Sequence, residues 1–168
     1  MIKAILANLF PRKITNDFPG LKIALCAFYL LTALTLWRSQ HHLFADDGGA
    51  QSIATIPLDN YSDSAATTII GVFALWGLSQ LIVGLIYLIA VIRYRAMIPM
   101  LYLLSLVEYL VRIFYIPAYK PIETAGTAPG AVGSLLLAII SLVMLVLSLW
   151  PREIERVKRS EYLNRSGT

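Results

Sequence analysis

Four long apolar blocks, separated by short polar stretches, dominate the chain. They cover about residues 21–37, 66–92, 98–117 and 131–150. Each block approaches or exceeds the roughly 20 residues that a helix needs to cross about 30 Å of hydrocarbon. The pattern predicts an all-α membrane protein, a single domain whose four transmembrane helices form one antiparallel bundle.

The polar stretches predict the connections. An outer loop at 39–64 follows the first span, with a turn signal at Asp46-Asp47-Gly48-Gly49 and a short extended piece from Ser52 to Leu58. A tight turn at 93–97 makes the second and third spans antiparallel neighbours. The connection at 118–130, rich in Pro, Gly and Thr, predicts an ordered loop.

An amphipathic segment precedes the first span. Its apolar residues share one side of a helix, namely Ile2, Ile5, Leu6, Leu9 and Phe10. This pattern predicts a short interfacial helix at the cytoplasmic membrane surface, with a frayed N-terminus as the alternative. Basic residues follow where a signal-peptidase site would be expected, so no cleavable signal peptide is predicted.

Basic residues collect on one side of the predicted bundle. They precede the first span, fill the turn at Arg93 and Arg95, and recur through the tail at 151–168, whereas the other side carries five acids and only Arg38 and Lys120. The positive-inside rule therefore places both termini in the cytoplasm, as in a bacterial inner-membrane protein. The tail is predicted to contact anionic lipid headgroups, with docking to another subunit as the alternative.

Composition supports a membrane protein and argues against nucleic-acid binding. Of 168 residues, 58 % are hydrophobic and 14 % charged, whereas a soluble domain is about 25 % charged. The net charge of +4 flanks the spans and forms no basic face. The lone Cys26 allows no internal disulfide and is predicted to be a buried small apolar residue.

Helical spacing predicts which side chains face inward. The third span carries Glu108 and Arg112, four residues apart and therefore on one face, the acid first. The predicted inward stripes are Cys26, Tyr29, Thr32 and Ala33 on the first span; Phe73, Gly77, Gln80, Gly84 and Tyr87 on the second; Tyr102, Ser105, Glu108, Tyr109, Arg112 and Tyr115 on the third; and Ser134, Ala138, Ser141, Leu145 and Ser148 on the fourth. The resulting polar core would contain Gln80, Glu108, Tyr109, Ser141 and Tyr29.

Two interpretations of the Glu108–Arg112 pair remain open. Charged groups inside a membrane are costly and mark functional sites by default. The pair is either a structural clasp that fixes helix register with Gln80, or part of a site for a small molecule, lipid or proton. Without a partner, Glu108 would take up a proton.

The sequence contains no catalytic constellation and favours a protein that is not an enzyme. His41 and His42 form a weak metal-site candidate with Asp46 and Asp47, but a solvated loop is the favoured interpretation. An enzyme using Glu108 as general acid or base remains a minor alternative.

The layout resembles the small four-helix bacterial membrane proteins of the DoxX-like type. The similar features are the outer loop after the first span, the Gly-bearing segment Gly71-Val72-Phe73-Ala74-Leu75-Trp76-Gly77-Leu78 and the basic turn Arg93-Tyr94-Arg95. A polar residue within the third span completes the resemblance. The resemblance to this family implies association with quinone or redox-linked membrane complexes.

Two functional hypotheses follow. The favoured one is a non-catalytic accessory subunit or assembly factor of a membrane complex, with partners that are other membrane subunits or further copies of this chain. The alternative is a binder or carrier of a lipophilic molecule, a quinone, sterol or lipid, whose polar head contacts Glu108 and Arg112.

Overall fold

The computed structural model describes residues 2–150. The α-helices in that range are α1 (Ile2–Leu9), α2 (Lys22–Phe44), α3 (Asp63–Arg93), α4 (Ile98–Leu110), α5 (Ile116–Tyr119) and α6 (Pro129–Leu149). Short 3₁₀ helices cover Leu58–Asn60 and Arg95–Met97, and a π-helix at Val111–Tyr115 joins α4 to α5. Residues 2–150 contain no strand.

Within residues 2–150, four helical segments are long and apolar enough to cross a membrane. They are α2, α3, the continuous helix Arg95–Tyr119 and residues Val132–Leu149 of α6. The predictions of an all-α fold and of four helices long and apolar enough to span a membrane are therefore confirmed. The segment Met1–Phe10 includes helix α1, whereas the basic tail at 151–168 lies outside the described residues.

The first span is longer than predicted. Helix α2 continues seven residues past Trp37 to Phe44, so the following loop covers only 45–62. Ser62 begins α3 by accepting a hydrogen bond from the Ala65 N–H. The predicted extended piece from Ser52 to Leu58 is wrong. Turns instead cover residues 46–54, where the Asp47 carboxylate accepts hydrogen bonds from the backbone N–H groups of residues 49, 51 and 52. Residues 55–57 follow without regular structure, and Leu58 begins a 3₁₀ helix.

The helices pack around the bundle in the order α3, α2, α6, α4. Two glycines of α3 bring α2 and α3 close together. A Cβ on Gly77 would lie 2.7 Å from the Leu43 backbone nitrogen, and one on Gly84 would lie 2.8 Å from Leu36 Cδ2. Helix α3 also contacts α4 and the 3₁₀ turn Arg95–Met97. Further along, a cavity separates α3 from the π-helix; we call this gap the seam.

Backbone hydrogen bonds define the two ends of the bundle. One end, which we call the turn end, holds the 3₁₀ turn Arg95–Met97 between α3 and α4. There the Ala96 N–H donates to Thr15 O (3.2 Å) and the Leu21 N–H donates to Leu147 O (3.1 Å). The opposite end, which we call the loop end, holds the loop after α2 and the loop before α6. There the Ala125 N–H donates to Thr55 O (2.8 Å). The two loops 45–62 and 120–128 therefore touch each other at the loop end.

An aromatic cluster fills the bundle towards the turn end. Phe28 packs with Tyr87 and Tyr102, and both ring-centroid distances are 5.0 Å. The Tyr102 hydroxyl donates to Ala24 O at 2.7 Å, which satisfies its polar atom inside the core. This half is well packed, so the cavity lies towards the loop end.

Burial confirms the predicted inward faces of the second and fourth spans, apart from the half-buried Phe73, and corrects the first. Gly77, Gln80, Gly84 and Tyr87 are buried, as is the whole stripe on α6. On α2, however, Cys26 and Ala33 are exposed and Tyr29 is 41 % exposed. Because α2 is apolar on all sides near its start, hydrophobic spacing gave little information there. Its buried face is Ala24, Phe28, Leu31, Thr32, Thr35, Ser39 and His42.

The π-helix changes the face that the third span presents. Tyr102, Ser105 and Tyr109 are buried as predicted, but Tyr115 is 51 % exposed. A π-type bond closes over one residue more than an α-type bond, so later residues leave the uniform helical stripe. Pro117 favours this irregularity, because it has no N–H to donate to the Ile113 carbonyl four residues earlier.

Candidate ligand-binding site

A cavity of about 670 Å³ lies in the seam towards the loop end. This volume falls within the roughly 300–1,000 Å³ typical of small-molecule sites. Helix α3 supplies one wall, and α4 with the π-helix and α5 supplies the other. The lining side chains of these walls are Val72, Phe73, Trp76 and Gln80 opposite Glu108, Val111, Arg112 and Ile116.

Hydrogen bonds link four polar side chains along one side of the cavity. Arg38 Nη2 donates to Gln80 Oε1 (3.2 Å), and Gln80 Nε2 donates to Glu108 Oε1 (3.0 Å). Arg112 reaches the same oxygen from the next helical turn through Nε (3.0 Å) and Nη2. Gln80 therefore bridges α2 and the third span, and its amide dipole is oriented by an arginine and a carboxylate.

Glu108 retains accepting capacity. All three hydrogen bonds converge on Oε1, and Oε2 accepts none from the described residues. The Glu108 and Arg112 side chains are 29 % and 23 % exposed, and both line the cavity. A purely structural clasp would be tightly enclosed, with all of its hydrogen-bonding atoms paired. The Glu108–Arg112 pair is neither.

Trp76 forms an aromatic surface beneath the two arginines. The Arg112 guanidinium carbon lies 4.8 Å from the Trp76 ring centroid, and that of Arg38 lies 6.0 Å away. Both distances are within range of cation–π attraction. Trp76 thereby holds the cations beside the cavity without neutralising them.

His42 lies in the wall of the cavity, 3 % exposed, with its ring 4.6 Å from that of Trp76. Its Nδ1 lies 2.8 Å from Gly48 O, and since a carbonyl only accepts, Nδ1 carries the proton. The expectation that His42 belongs to a solvated loop is therefore wrong. Gly49 permits this approach, because φ is +72° and a Cβ there would lie 2.8 Å from His42 Nδ1.

The two loops line the cavity at the loop end. Ile53 and Ala54 of the first loop and Ile122 and Ala128 of the second line it there. Thr55 joins the loops: its O accepts from Ala125, and its hydroxyl donates to Gly126 O (3.1 Å). Its φ of +57° is strained for a β-branched residue, so these contacts hold an unfavourable backbone conformation.

Asp47 organises the first loop electrostatically. Burial raises the pKa of this carboxyl, but hydrogen bonds from Ser52, Gly49 and Gln51 outweigh burial and hold the pKa below its ordinary value of 3.8. The ionised carboxylate is therefore part of the folded loop.

The structure brings together Gln80, Glu108 and Arg112 of the predicted polar core at the cavity. Tyr109 lies next to them and interacts with Arg38, but it does not line the cavity. Ser141 instead lies 3.3 Å from Ser105, and Tyr29 accepts a hydrogen bond from Arg95 near the turn end; neither lines the cavity. His41 stacks on Trp37. Among residues 2–150, no group of three His, Cys, Asp or Glu side chains can hold a metal, so the His41–His42 metal candidate is not supported.

Arg38 and Trp76 of the site escaped prediction, and His42 was predicted only as a weak metal candidate in a loop. Arg38 and His42 lay beyond the predicted end of the first span, since a charge after Trp37 resembles the edge of a membrane segment. The steps Leu31, Thr35, Arg38 and His42 nevertheless follow four-three-four helical spacing. Continuing this spacing past Trp37 would have placed Arg38 and His42 on the buried face of α2.

No protein-family model, curated protein sequence or solved structure matches this chain. The resemblance to DoxX-like proteins therefore stays a prediction.

Proposed function

We propose that this protein binds a lipophilic small molecule with a polar head, such as a quinone, sterol or lipid, in the seam cavity. The observation that supports it is the cavity itself, which places apolar walls directly beside the incompletely satisfied pair Glu108 and Arg112. Sites for small molecules combine mostly apolar linings with a few convergent polar groups. Here the polar groups lie on one side and the aliphatic side chains on the others.

The apolar space extends beyond the main cavity. A neighbouring cavity of about 270 Å³ shares Val72, Phe73 and Ile122 with it. Its remaining lining is mostly aliphatic and aromatic, apart from Thr68 and Glu123. A hydrocarbon tail therefore has a continuous path from the polar groups along the outer surface of α3.

Exposed residues on both edges of the seam suggest how a ligand enters. Val72 is 59 % exposed and Val111 is 44 % exposed, and both line the cavity. In a bilayer, apolar residues at this position face acyl chains. We propose that a lipophilic ligand enters sideways between α3 and the π-helix.

We further propose an antiparallel bundle in a bacterial inner membrane with both termini in the cytoplasm. The basic turn at Arg93–Arg95 and the basic tail support this orientation through the positive-inside rule. The cavity and the two loops that line it then lie in the outer half of the membrane. Contact of the tail with anionic headgroups remains part of this proposal.

An accessory subunit or assembly factor remains a compatible proposal, because a subunit can also carry a ligand. Co-purification of a second chain tests that proposal separately.

A matched pair of substitutions tests ligand binding. Val111→Trp fills the cavity, whereas Leu110→Trp adds the same side chain to a neighbouring, 40 % exposed residue that does not line it. Each protein is purified in mild detergent and analysed by native mass spectrometry and solvent extraction. We expect a retained amphiphile in the wild type and Leu110→Trp, and its loss in Val111→Trp. An empty wild-type protein, or equal retention by both variants, would refute the proposal.

A further inference from the structure

We infer that the ligand is an anionic amphiphile, whose negatively charged head binds beside Arg38. This inference rests on the proposed function and narrows it to a chemical class. The chain supplies two guanidinium groups to the cavity, from Arg38 and Arg112, against the single carboxylate of Glu108. Arg38 therefore faces the cavity with no counter-ion among the described residues.

The contacts of Arg38 leave its charge uncompensated. Its Nη2 donates to the amide oxygen of Gln80, whose amide nitrogen donates to Glu108. Its other polar neighbour is the Tyr109 hydroxyl. Both the amide and the phenol are neutral and cannot balance the guanidinium charge. The Arg38 Nε is buried and makes no hydrogen bond within the part of the chain that is described. Native structures seldom leave a buried donor unpaired, so a missing partner with a lone pair is indicated.

The depth of Arg38 makes this missing partner more significant. Arg38 lies six residues before the end of α2, about 9 Å along the helix axis, and bonds to Gln80 near the middle of α3. An isolated cation at membrane depth is unfavourable, and ionisable groups there normally pair or line a site. A bound anion would satisfy both the charge and the orphan donor.

No other described group supplies the missing negative charge. Glu108 is the only acid that the described residues contribute to the lining, and it is already bound to Arg112. His42 carries its Nδ1 proton towards Gly48 and supplies no anion. The cation of Arg38 therefore remains in excess.

The beginning of α6 adds to the positive potential. Gly130, in its first turn, lines the cavity, and the N-cap residue Ala128 provides no side-chain hydrogen bond. The N-terminal end of a helix carries partial positive charge and favours anions. This effect supplements Arg38 and would also favour a head that extends towards the loops.

Two kinds of lipid head group carry the negative charge that this inference requires, namely a fatty-acid carboxylate and a phospholipid phosphate. Delipidated wild-type protein is therefore mixed separately with oleate, dioleoyl-phosphatidylglycerol and oleyl alcohol, and binding is measured by native mass spectrometry. Oleyl alcohol has the same tail as oleate and no charge. We expect at least one anion to bind about tenfold or more tightly than oleyl alcohol, in line with a charge-assisted hydrogen bond. Oleate binding alone indicates a fatty acid, and phosphatidylglycerol binding alone indicates a phospholipid.

Charge variants test whether Arg38 is responsible. Arg38→Gln should remove most of the preference for the anion, whereas Arg38→Lys should retain it and shows that the fold tolerates substitution. Glu108→Gln should increase the preference, because it leaves two cations at the cavity. Thermal unfolding of each variant identifies any that fail to fold.

The outcomes separate this inference from the proposed function. If oleyl alcohol binds as tightly as both anions and Val111→Trp removes all of them, the cavity binds amphiphiles and the anionic inference is wrong. An unchanged anion preference in folded Arg38→Gln also refutes it. If none of the three probes binds but the purified wild type retains an amphiphile, the anionic inference is wrong and the proposed function stands. If the purified wild type also retains none, the proposed function itself fails.

Discussion

The contribution of the Glu108–Arg112 pair to stability can be separated from its contribution to binding by a double-mutant cycle. The variants are Glu108→Gln, which keeps the side-chain volume, Arg112→Gln, which is shorter but remains polar, and the combination. Glu108 Oε1 accepts three hydrogen bonds from two side chains, so its loss affects both Arg112 and Gln80. Loss of Arg112 leaves the Gln80 hydrogen bond in place.

The structure therefore predicts that Glu108→Gln and Arg112→Gln lower the free energy of unfolding by different amounts. Breaking a buried ion pair costs about 3–5 kcal/mol, and this pair is about three-quarters buried. We expect Glu108→Gln to cost about 2–3 kcal/mol, because two guanidinium groups then share the site with no carboxylate. Arg112→Gln should cost about 1–2 kcal/mol, since hydrogen bonds to charged groups contribute about 1.5–3 kcal/mol and one remains. The double variant should lose less than the sum, by about 1–2 kcal/mol.

Unfolding by sodium dodecyl sulfate in mixed micelles, followed by tryptophan fluorescence, measures these free energies in ligand-free protein. Glu123→Gln is the control: it removes an acid from the exposed loop and should change stability by less than about 0.5 kcal/mol. Additive effects within error would show that the two charges do not stabilise each other. A larger cost for Arg112→Gln than for Glu108→Gln would contradict the reasoning from the shared oxygen.

Two further predictions concern helix packing and the loop. Gly77→Ala should destabilise the protein by about 1–2 kcal/mol, because overpacking at the α2 backbone outweighs the gain in helix propensity. Gly71→Ala on the same helix meets nothing within 4 Å and should stabilise it, so equal effects in unfolding assays would contradict the close approach. The depressed pKa of Asp47 means that its stabilisation is complete above 3.8, the ordinary pKa, and is lost as pH falls through the folded-state pKa. Hydrogen exchange in residues 45–60, corrected for intrinsic rates, should rise at low pH and, at neutral pH, in Asp47→Asn; the exposed Asp46→Asn should resemble wild type.

The sequence predicted the spans and two inward faces because small and polar residues interrupt apolar helices at regular spacing. Gly77, Gln80 and Gly84 on α3, and the serines of α6, give such a stripe. The start of α2 offers no such contrast. Its buried face depends on the aromatic cluster around Phe28, which forms only in the folded bundle.

The site was predicted in part for a related reason. Glu108 and Arg112 are conspicuous in an apolar span, and Gln80 lies at matching depth. Arg38 is equally polar, but it was placed on the outer side, just past the predicted end of the first span, because a charge near a span end usually marks the membrane surface. The π-helix was also not predicted, because a uniform α-helical spacing was expected as far as Pro117.

The seam has a consequence for how binding depends on concentration. A ligand that reaches Val72 and Val111 from the surrounding acyl chains equilibrates with the protein inside the two-dimensional lipid phase. Occupancy is then governed by the mole fraction of the ligand among the lipids, and its dilute aqueous concentration matters only through partitioning. Adding inert lipid at constant total ligand should therefore empty the cavity, even though neither the protein nor the ligand has been diluted in water.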